Sequence, residues 1–404
     1  MVKAGSGLTV KLIGKRVLRR LGAWSRVCKA ATKASTRLPA SLPLAVALFA
    51  VPLATHAAEP GGISRLKVPQ GYAIEVYASG VSNARQMALL PSGTLLVGSR
   101  DAGVVSAVLP GASAPERRVV TLVGDLQMPT GIAVHAADLY IADVGRIYRV
   151  RQVEARIAEV AGGGPRVRPE LVTDRLPSDE HHGWKYLRID AEGRLIVPIG
   201  APCNVCDRDA DGYTQIVRMR PDGSQREVLA RGVRNSVGFD FEPGTGHLWF
   251  TDNGRDWLGD DLPSCELNRV TRPGQHFGFP FCHQGDTLDP MFGKGRSCRE
   301  FVPPMAKLGA HVAPLGVTFW RGDAVVALHG SWNRSRKSGY KVVRVLLERK
   351  PGGSTVRDVE DLVSGWLDGE MAWGRPTDVL AMPDGSLLIA DDQQGLVYRL
   401  TEKR

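Results

Sequence analysis

The first 57 residues of this 404-residue chain contain no aspartate or glutamate, although they hold ten of its 52 lysines and arginines. That absence accounts for the whole formal net charge of +10, because the 42 basic residues that follow are matched by 42 acidic ones. A basic surface for nucleic acid is thereby excluded from the main body of the chain. Long apolar runs are missing too. The apolar stretch at residues 42–54 is followed by the small residues Ala57 and Ala58. At about 13 residues, it falls short of the roughly 20 needed to cross a bilayer. A basic leader, a short apolar run and small residues make the pattern of an export signal. Residues 1–57 are read as a leader, either cleaved or retained as an anchor. Residues 58–404 are read as one domain, periplasmic or secreted, with membrane association through the leader alone.

Other absences narrow the chemistry. There is no G-x-x-x-x-G-K-[ST] loop and no Rossmann fingerprint in the body of the chain, so a nucleotide cofactor has no cradle. Cysteines number only six. Cys28 belongs to the leader, which leaves Cys203, Cys206, Cys265, Cys282 and Cys298. Five is odd, so at least one thiol stays free or pairs outside the chain. The Cys203–Cys206 segment is followed by Asp207 rather than histidine, which rules out c-type haem attachment; a structural disulfide or a tight loop is expected. Residues 207–212 copy the start of an EF-hand loop, but its twelfth position is Arg218 where a bidentate glutamate is required. The segment is read as a turn.

What is present is a repeat. A glycine-containing turn followed by a short β-rich strand recurs at residues 91–97, 137–141, 191–197, 244–250, 321–326 and 383–389. Several copies are preceded by a glycine-led strand, as at residues 131–134, 238–241 and 316–319. Some are followed by a third strand, as at 145–150 and 395–400. Each unit is a small antiparallel meander unable to bury its own faces, and stacking the units around an axis solves that problem. No long amphipathic helix interrupts the pattern. The fold predicted is all-β, a six-bladed β-propeller with loop insertions on its top face, chiefly residues 256–304.

Propellers gather ligands where the blade loops meet the central channel, so polar loop residues carry the information. His181 and His182 lie in an acidic, glycine-containing loop before the third strand phrase, and a loop histidine there suits general-base work. Arg234 beside Asn235 places a rigid cation next to an amide, suited to polarising a carbonyl oxygen. Residues 329–337 and 374–378 add Arg and Lys that converging loops would direct at an anionic ligand. Taken singly, each is as readily a surface histidine, a blade-bridging arginine or a solvated charge.

These clusters, in this order, resemble the PQQ-dependent sugar dehydrogenases: soluble glucose dehydrogenase, aldose sugar dehydrogenase and, most closely, the sorbosone dehydrogenase-like group. The phrases carrying the resemblance are Gly71-Tyr-Ala-Ile-Glu-Val-Tyr77, His182-Gly-Trp-Lys185, Pro198-Ile-Gly-Ala-Pro-Cys203, Arg234-Asn235, Gln275-His-Phe-Gly-Phe-Pro280, His329-Gly-Ser-Trp-Asn-Arg334 and Arg375-Pro-Thr-Asp378. They span residues 65–402. The resemblance implies oxidation of an aldose sugar or sorbosone-like aldehyde at C1, with hydride passing to pyrroloquinoline quinone (PQQ). It implies that His182 is the base, that Arg234 and Asn235 contact the quinone oxygens, and that Arg375 and Arg334 bind carboxylates. It also implies that a Ca2+ takes the backbone carbonyls of Gly254 and Arg255. Partners would be a small sugar and an external electron acceptor, a quinone or a cytochrome.

Three positions depart from the family. The aspartate that orients the base is Ala201 here, so either another acid, such as Asp179, orients His182 or nothing does. The glutamine two residues beyond the Arg-Asn pair is Val237, and the second carboxylate-binding arginine is Thr377. Two rival functions share the fold. A metal-dependent sugar lactonase would need acids such as Asp143, Asp252 and Asp391 to converge on one divalent ion; a binding propeller would need no chemistry at all. Export has a direct check. N-terminal sequencing of the mature protein should begin close to Ala58, and a cytosolic protein keeping all 57 leader residues would refute it.

Overall fold

The six turn-strand phrases become the second strands of six blades, each a four-stranded antiparallel meander, with a fifth, parallel strand added to the third. The computed structural model describes residues 62–403, so the predicted leader lies outside the described residues. The second strands are Leu95–Ser99, Asp138–Ala142, Leu195–Ile199, Leu248–Asp252, Asp323–Leu328 and Leu387–Asp391, and nearly every residue in them is buried. A strand covered on both faces reads as a continuous apolar run rather than an alternating one, which is why these segments stand out in the sequence.

Six apolar clusters hold the sheets together, one at each junction of neighbouring blades. Successive side chains of a strand point to opposite faces, so each strand serves two junctions. In the first blade Leu95 and Val97 pack toward the sixth, whereas Leu96 packs toward the second. In the sixth, Leu387 and Ile389 face the fifth blade while Leu388 and Ala390 face the first. Because the junction between the sixth and first blades is as apolar as the others, the ring is closed.

Closure is also covalently staggered. The sixth blade takes its first three strands from the C-terminal segments Pro376–Ala381, Leu387–Asp391 and Leu396–Glu402, and its outer strand, Tyr72–Ser79, from the N-terminal part of the domain. Tyr72 pairs with Glu402 and Ser79 with Leu396. At this seam the buried Tyr398 packs edge-on against Trp366 at 5.6 Å and donates its hydroxyl to Asp391 Oδ2 at 3.2 Å.

Toward the channel the first strands of the blades exchange polar contacts. Asp378 of the sixth blade accepts the backbone N–H of Met87 at 2.7 Å and the hydroxyl of Tyr186 at 3.1 Å, joining three blades. Gln86 bridges Ile132 and Leu187 in the same way. Burial pushes the Asp378 carboxyl up to about 7.

The insertion in the fourth blade, between its third strand Ser264–Val270 and fourth strand Ala306–Ala310, holds a two-residue strand, Gln275–His276. This strand pairs in parallel with Glu227–Arg231 of the third blade. A disulfide joins Cys282 to Cys298 in this insertion, a second joins Cys203 to Cys206, and Cys265 is free and buried. The only α-helix among the described residues, Val153–Ala161, is a short decoration of the second blade. The EF-hand-like segment is a single 3-10 turn, and its Asp209 and Asp211 are ion-paired with Arg231 and Arg208.

If the seam carries the closure, Tyr398→Ala should cost about 3–5 kcal/mol of stability, as for other buried aromatic truncations. A urea-unfolding midpoint equal to that of the wild type would show that closure does not depend on it.

Candidate functional site

In an antiparallel blade the start of the first strand and the end of the second lie side by side at the same end of the sheet. In the sixth blade this pairs Pro376 with Asp391, and in the first it pairs Ala84 with Ser99. Residues at these paired positions from different blades therefore meet around the channel mouth. They line a cavity of about 330 Å³ that includes Arg85, Arg100, His181, His182, Arg234, Asn235, Gly254, His329 and Arg375. Asp256 is the one carboxylate in its lining, against four arginines.

His182 sits in the left-handed region, φ +51°, an uncommon conformation for a residue other than glycine. It lies in a tight turn closed by the Gly183 N–H donating to Glu180 O at 2.9 Å. Its Nδ1 lies 2.9 Å from the carbonyl oxygen of Ala201. A carbonyl only accepts, so Nδ1 carries the hydrogen and Nε2 keeps its lone pair. The expectation that Asp179 orients this ring is overturned, because the Asp179 carboxylate accepts the Tyr213 hydroxyl instead. Gly200 makes the arrangement possible: a Cβ there would stand 2.6 Å from that of His182. Burial, then Arg234, then His181 hold the His182 imidazole well below the ordinary histidine range, so it is neutral at neutral pH.

His181 joins His182 at the cavity. An extended loop would send adjacent side chains opposite ways, but the left-handed turn brings both rings to the same cavity, 4.1 Å between centroids.

Arg234 is buried and held through all three of its nitrogens, with one Nη1 N–H left without a protein acceptor. Its Nε donates to Asn204 O and its Nη2 to Asn204 Oδ1, both at 2.9 Å, while Nη1 donates to Asn253 O at 3.1 Å. Asn204 lies inside the Cys203–Cys206 disulfide loop, so that loop fixes the guanidinium. The backbone N–H groups of Arg234 and Asn235 both donate to Asp252, at 2.9 and 2.6 Å. The side-chain amide of Asn235 makes no protein hydrogen bond among the described residues, although it is buried in the cavity wall. Its atoms are not among the fully buried unpartnered ones, so they open onto the cavity, where water or a ligand can bond them.

Arg375 enters from the sixth blade, donating to the carbonyls of His329 and Gly330 at 3.3 Å. Two further arginines were not identified from the sequence. Arg85 pairs with Asp392 at 2.6 Å, and Asp392 also holds His329 Nε2 at 3.0 Å. Arg100 lies over the Trp184 ring at 4.9 Å. Arg85 is the second residue of the first blade's first strand, and Arg100 directly follows its second strand. Thr377, by contrast, is spent inside the sheet, donating to Ala84 O and lying near Ala390 O. Burial lowers His329 to about 4, so the positive charge of the cavity comes from guanidinium groups.

Arg334 does not join the cavity lining. It donates to Asp260 O at 2.7 Å and Asp261 Oδ1 at 2.9 Å, outside the ring of cations. Gly254 lines the cavity; the Arg255 side chain turns away to Asp289 at 2.6 Å. The three acids a lactonase would need are each occupied by backbone: Asp143 accepts from Gly145 and Arg146, Asp252 from Arg234 and Asn235, and Asp391 from Arg375, Gln393 and Gln394. No three His, Cys, Asp or Glu side chains among the described residues are grouped to hold a metal.

Comparison with known proteins gives the family and the fold. The family model described as TrAA12-like matches residues 66–293 and 292–403. A protein of Borreliella burgdorferi, named only as uncharacterized, is 32% identical over 373 residues, covering 88% of this chain and 96% of its own. The holo form of the pyranose dehydrogenase PQQ domain from Coprinopsis cinerea is similar with a TM-score of 0.71 at 20% identity, over 83% of this chain and 97% of that one. The calcium structure of the Trichoderma reesei family AA12 carbohydrate-active enzyme gives a TM-score of 0.72 at 20% identity, over 84% and 97% of the two chains. The chain therefore belongs to the TrAA12-like family and has the fold of the PQQ-dependent sugar dehydrogenases.

Proposed function

We propose that this protein is an exported, PQQ-dependent oxidoreductase that oxidises an aldose sugar or a sorbosone-like aldehyde at C1, yielding the lactone or acid. The observation that carries the reading is one cavity in which a neutral histidine with a free Nε2 faces four arginines and a single carboxylate. A tricarboxylate quinone matches that charge balance, and its carbonyl oxygens would satisfy the unpartnered Asn235 amide. A lactonase would need acids that here cap backbone N–H groups. Export is supported by the leader pattern and by two disulfides, which persist in oxidising compartments.

PQQ, when bound, supplies a two-electron hydride acceptor. Arg375, Arg85 and Arg100 would hold its carboxylates, and Arg234 with Asn235 would donate hydrogen bonds to its quinone oxygens. His182 Nε2 takes the proton of the C1 hydroxyl while Ala201 O keeps the ring in the productive tautomer. Ca2+ is a hard cation that prefers oxygen ligands. With no side-chain cluster near Gly254, it would draw on backbone carbonyls at Gly254 and Arg255 and on the oxygens of the bound group. Such a quinone cofactor would need an external electron acceptor, a quinone or a cytochrome, to be reoxidised.

Adding PQQ and Ca2+ to purified protein, then a sugar, tests the reading through the quinone's absorption. His182→Ala should slow PQQ reduction about 10² to 10⁴-fold with PQQ binding changed much less, whereas His181→Ala, which leaves the base in place, should act far more weakly. Since a base works only when neutral and the His182 imidazole is shifted downward, the acid limb of the wild-type rate should fall below pH 6.5. A limb above that value would assign it to another group.

Arg375→Ala should raise the PQQ concentration needed for half-reconstitution roughly ten- to a hundredfold, as for loss of a charged hydrogen-bond partner. An unchanged titration in a folded variant would remove Arg375 from the cofactor site.

A further inference from the structure

We infer that Trp257 and Trp332 form an outer sugar-binding subsite, and that the substrate is a disaccharide or the end of an oligosaccharide rather than a free monosaccharide. The inference rests on the sugar-oxidising reading above and specifies its substrate class.

The two indoles are 65% and 69% exposed, in a domain that buries Trp249, Trp320 and Trp366. Scattered exposed aromatics need no explanation, but two in contact at the mouth of a cavity are a different matter. Their rings meet edge to face, centroids 5.6 Å apart and planes at 85°. This arrangement leaves apolar ring surface open on an angled wall. Trp332 itself lines the cavity.

The wall is built to stay in place. Trp257 has φ +69°, a strained conformation for a bulky residue that persists only where the surroundings enforce it. Its N–H donates to the Asn333 side chain at 3.1 Å, one residue from Trp332. The same two loops are tied again by Arg334 to Asp260 and Asp261, and by the Ser335 N–H to Asp260 at 3.0 Å. Arg334, expected at the cofactor, thus braces this wall. Loops this firmly joined hold both indoles out in water at a fixed angle.

Position decides which molecule they meet. A cavity of about 330 Å³ is at the small end of ligand sites, with room for one cofactor-sized group. The sugar ring being oxidised must sit at its mouth, and any ring attached to it extends outward, where Trp332 begins. Pyranose rings carry C–H groups on their faces, and these seat well on the electron-rich face of an indole.

The test uses full-length protein and probes that bind without reacting: the methyl glycosides of cellobiose, maltose and xylobiose beside those of glucose and xylose, titrated by calorimetry. At least one disaccharide glycoside should bind more tightly than its monosaccharide counterpart. Trp257→Ala and Trp332→Ala should each weaken that binding about tenfold, with Trp332→Tyr restoring much of it and unfolding midpoints unchanged. With PQQ and Ca2+ present, kcat/KM for the free disaccharide should fall similarly in both alanine variants, while in Trp257→Ala, which lies outside the cavity lining, that for the monosaccharide moves by less than about twofold.

Disaccharides that bind no better than monosaccharides, or alanine variants that bind them as the wild type does, overturn the proposal. So does a loss confined to reoxidation by a protein acceptor, which would make the pair an acceptor-docking surface. If glycoside binding depends on both tryptophans but no sugar reduces PQQ, the subsite stands and the dehydrogenase reading falls.

Discussion

The carboxylate of Asp252 accepts the backbone N–H groups of both Arg234 and Asn235, and the cavity depends on that pair of bonds. Asp252 ends the second strand of the fourth blade, and the two residues it holds lead into the blade's first strand. Asp391 does the same for Arg375 in the sixth blade. A strand-end aspartate thus fixes the backbone beneath an arginine, so that the guanidinium projects inward from a rigid base rather than from a loose loop. Burial raises Asp252 to about 6 against the hydrogen bonds that oppose it, which measures how far this device lies from water.

Electrostatics at the cavity follow from the same economy of carboxylates. Asp252 and Asp391 are absorbed by backbone, and Asp392 is shared between Arg85 and His329. The lining is left with one acid among four guanidinium groups. Ala201 adds to the imbalance. An aspartate at that position would stabilise a charged imidazole, whereas the Ala201 carbonyl fixes the tautomer of His182 without adding charge. The ring therefore stays neutral through burial and its cationic neighbours, a state suited to accepting a proton.

The blades were legible because their second strands are buried on both faces and carry unbroken apolar runs between glycine turns. The first strands were harder to see. Residues 238–241 were visible through their leading glycine, but Arg188–Ile189 is two residues long, too short for any period to register. Among site residues, His182, Arg234, Asn235, Gly254 and Arg375 were named from sequence phrases and do line one cavity. Arg85 and Arg100 were missed because an arginine bordering a strand has no local signature.

The sequence alone determined the repeat, its six copies, the charge asymmetry of the leader and the odd cysteine count, since each depends on composition and spacing along the chain. Tertiary structure decided everything that depends on direction. A left-handed turn at His182 turned both histidines to one cavity, where an extended loop would have separated them. The Asp260 and Asp261 loop drew Arg334 away from the arginine-lined cavity to brace a tryptophan wall. Such outcomes rest on single backbone dihedrals and on partners more than 70 residues away, and neither leaves a trace in the spacing of residue types.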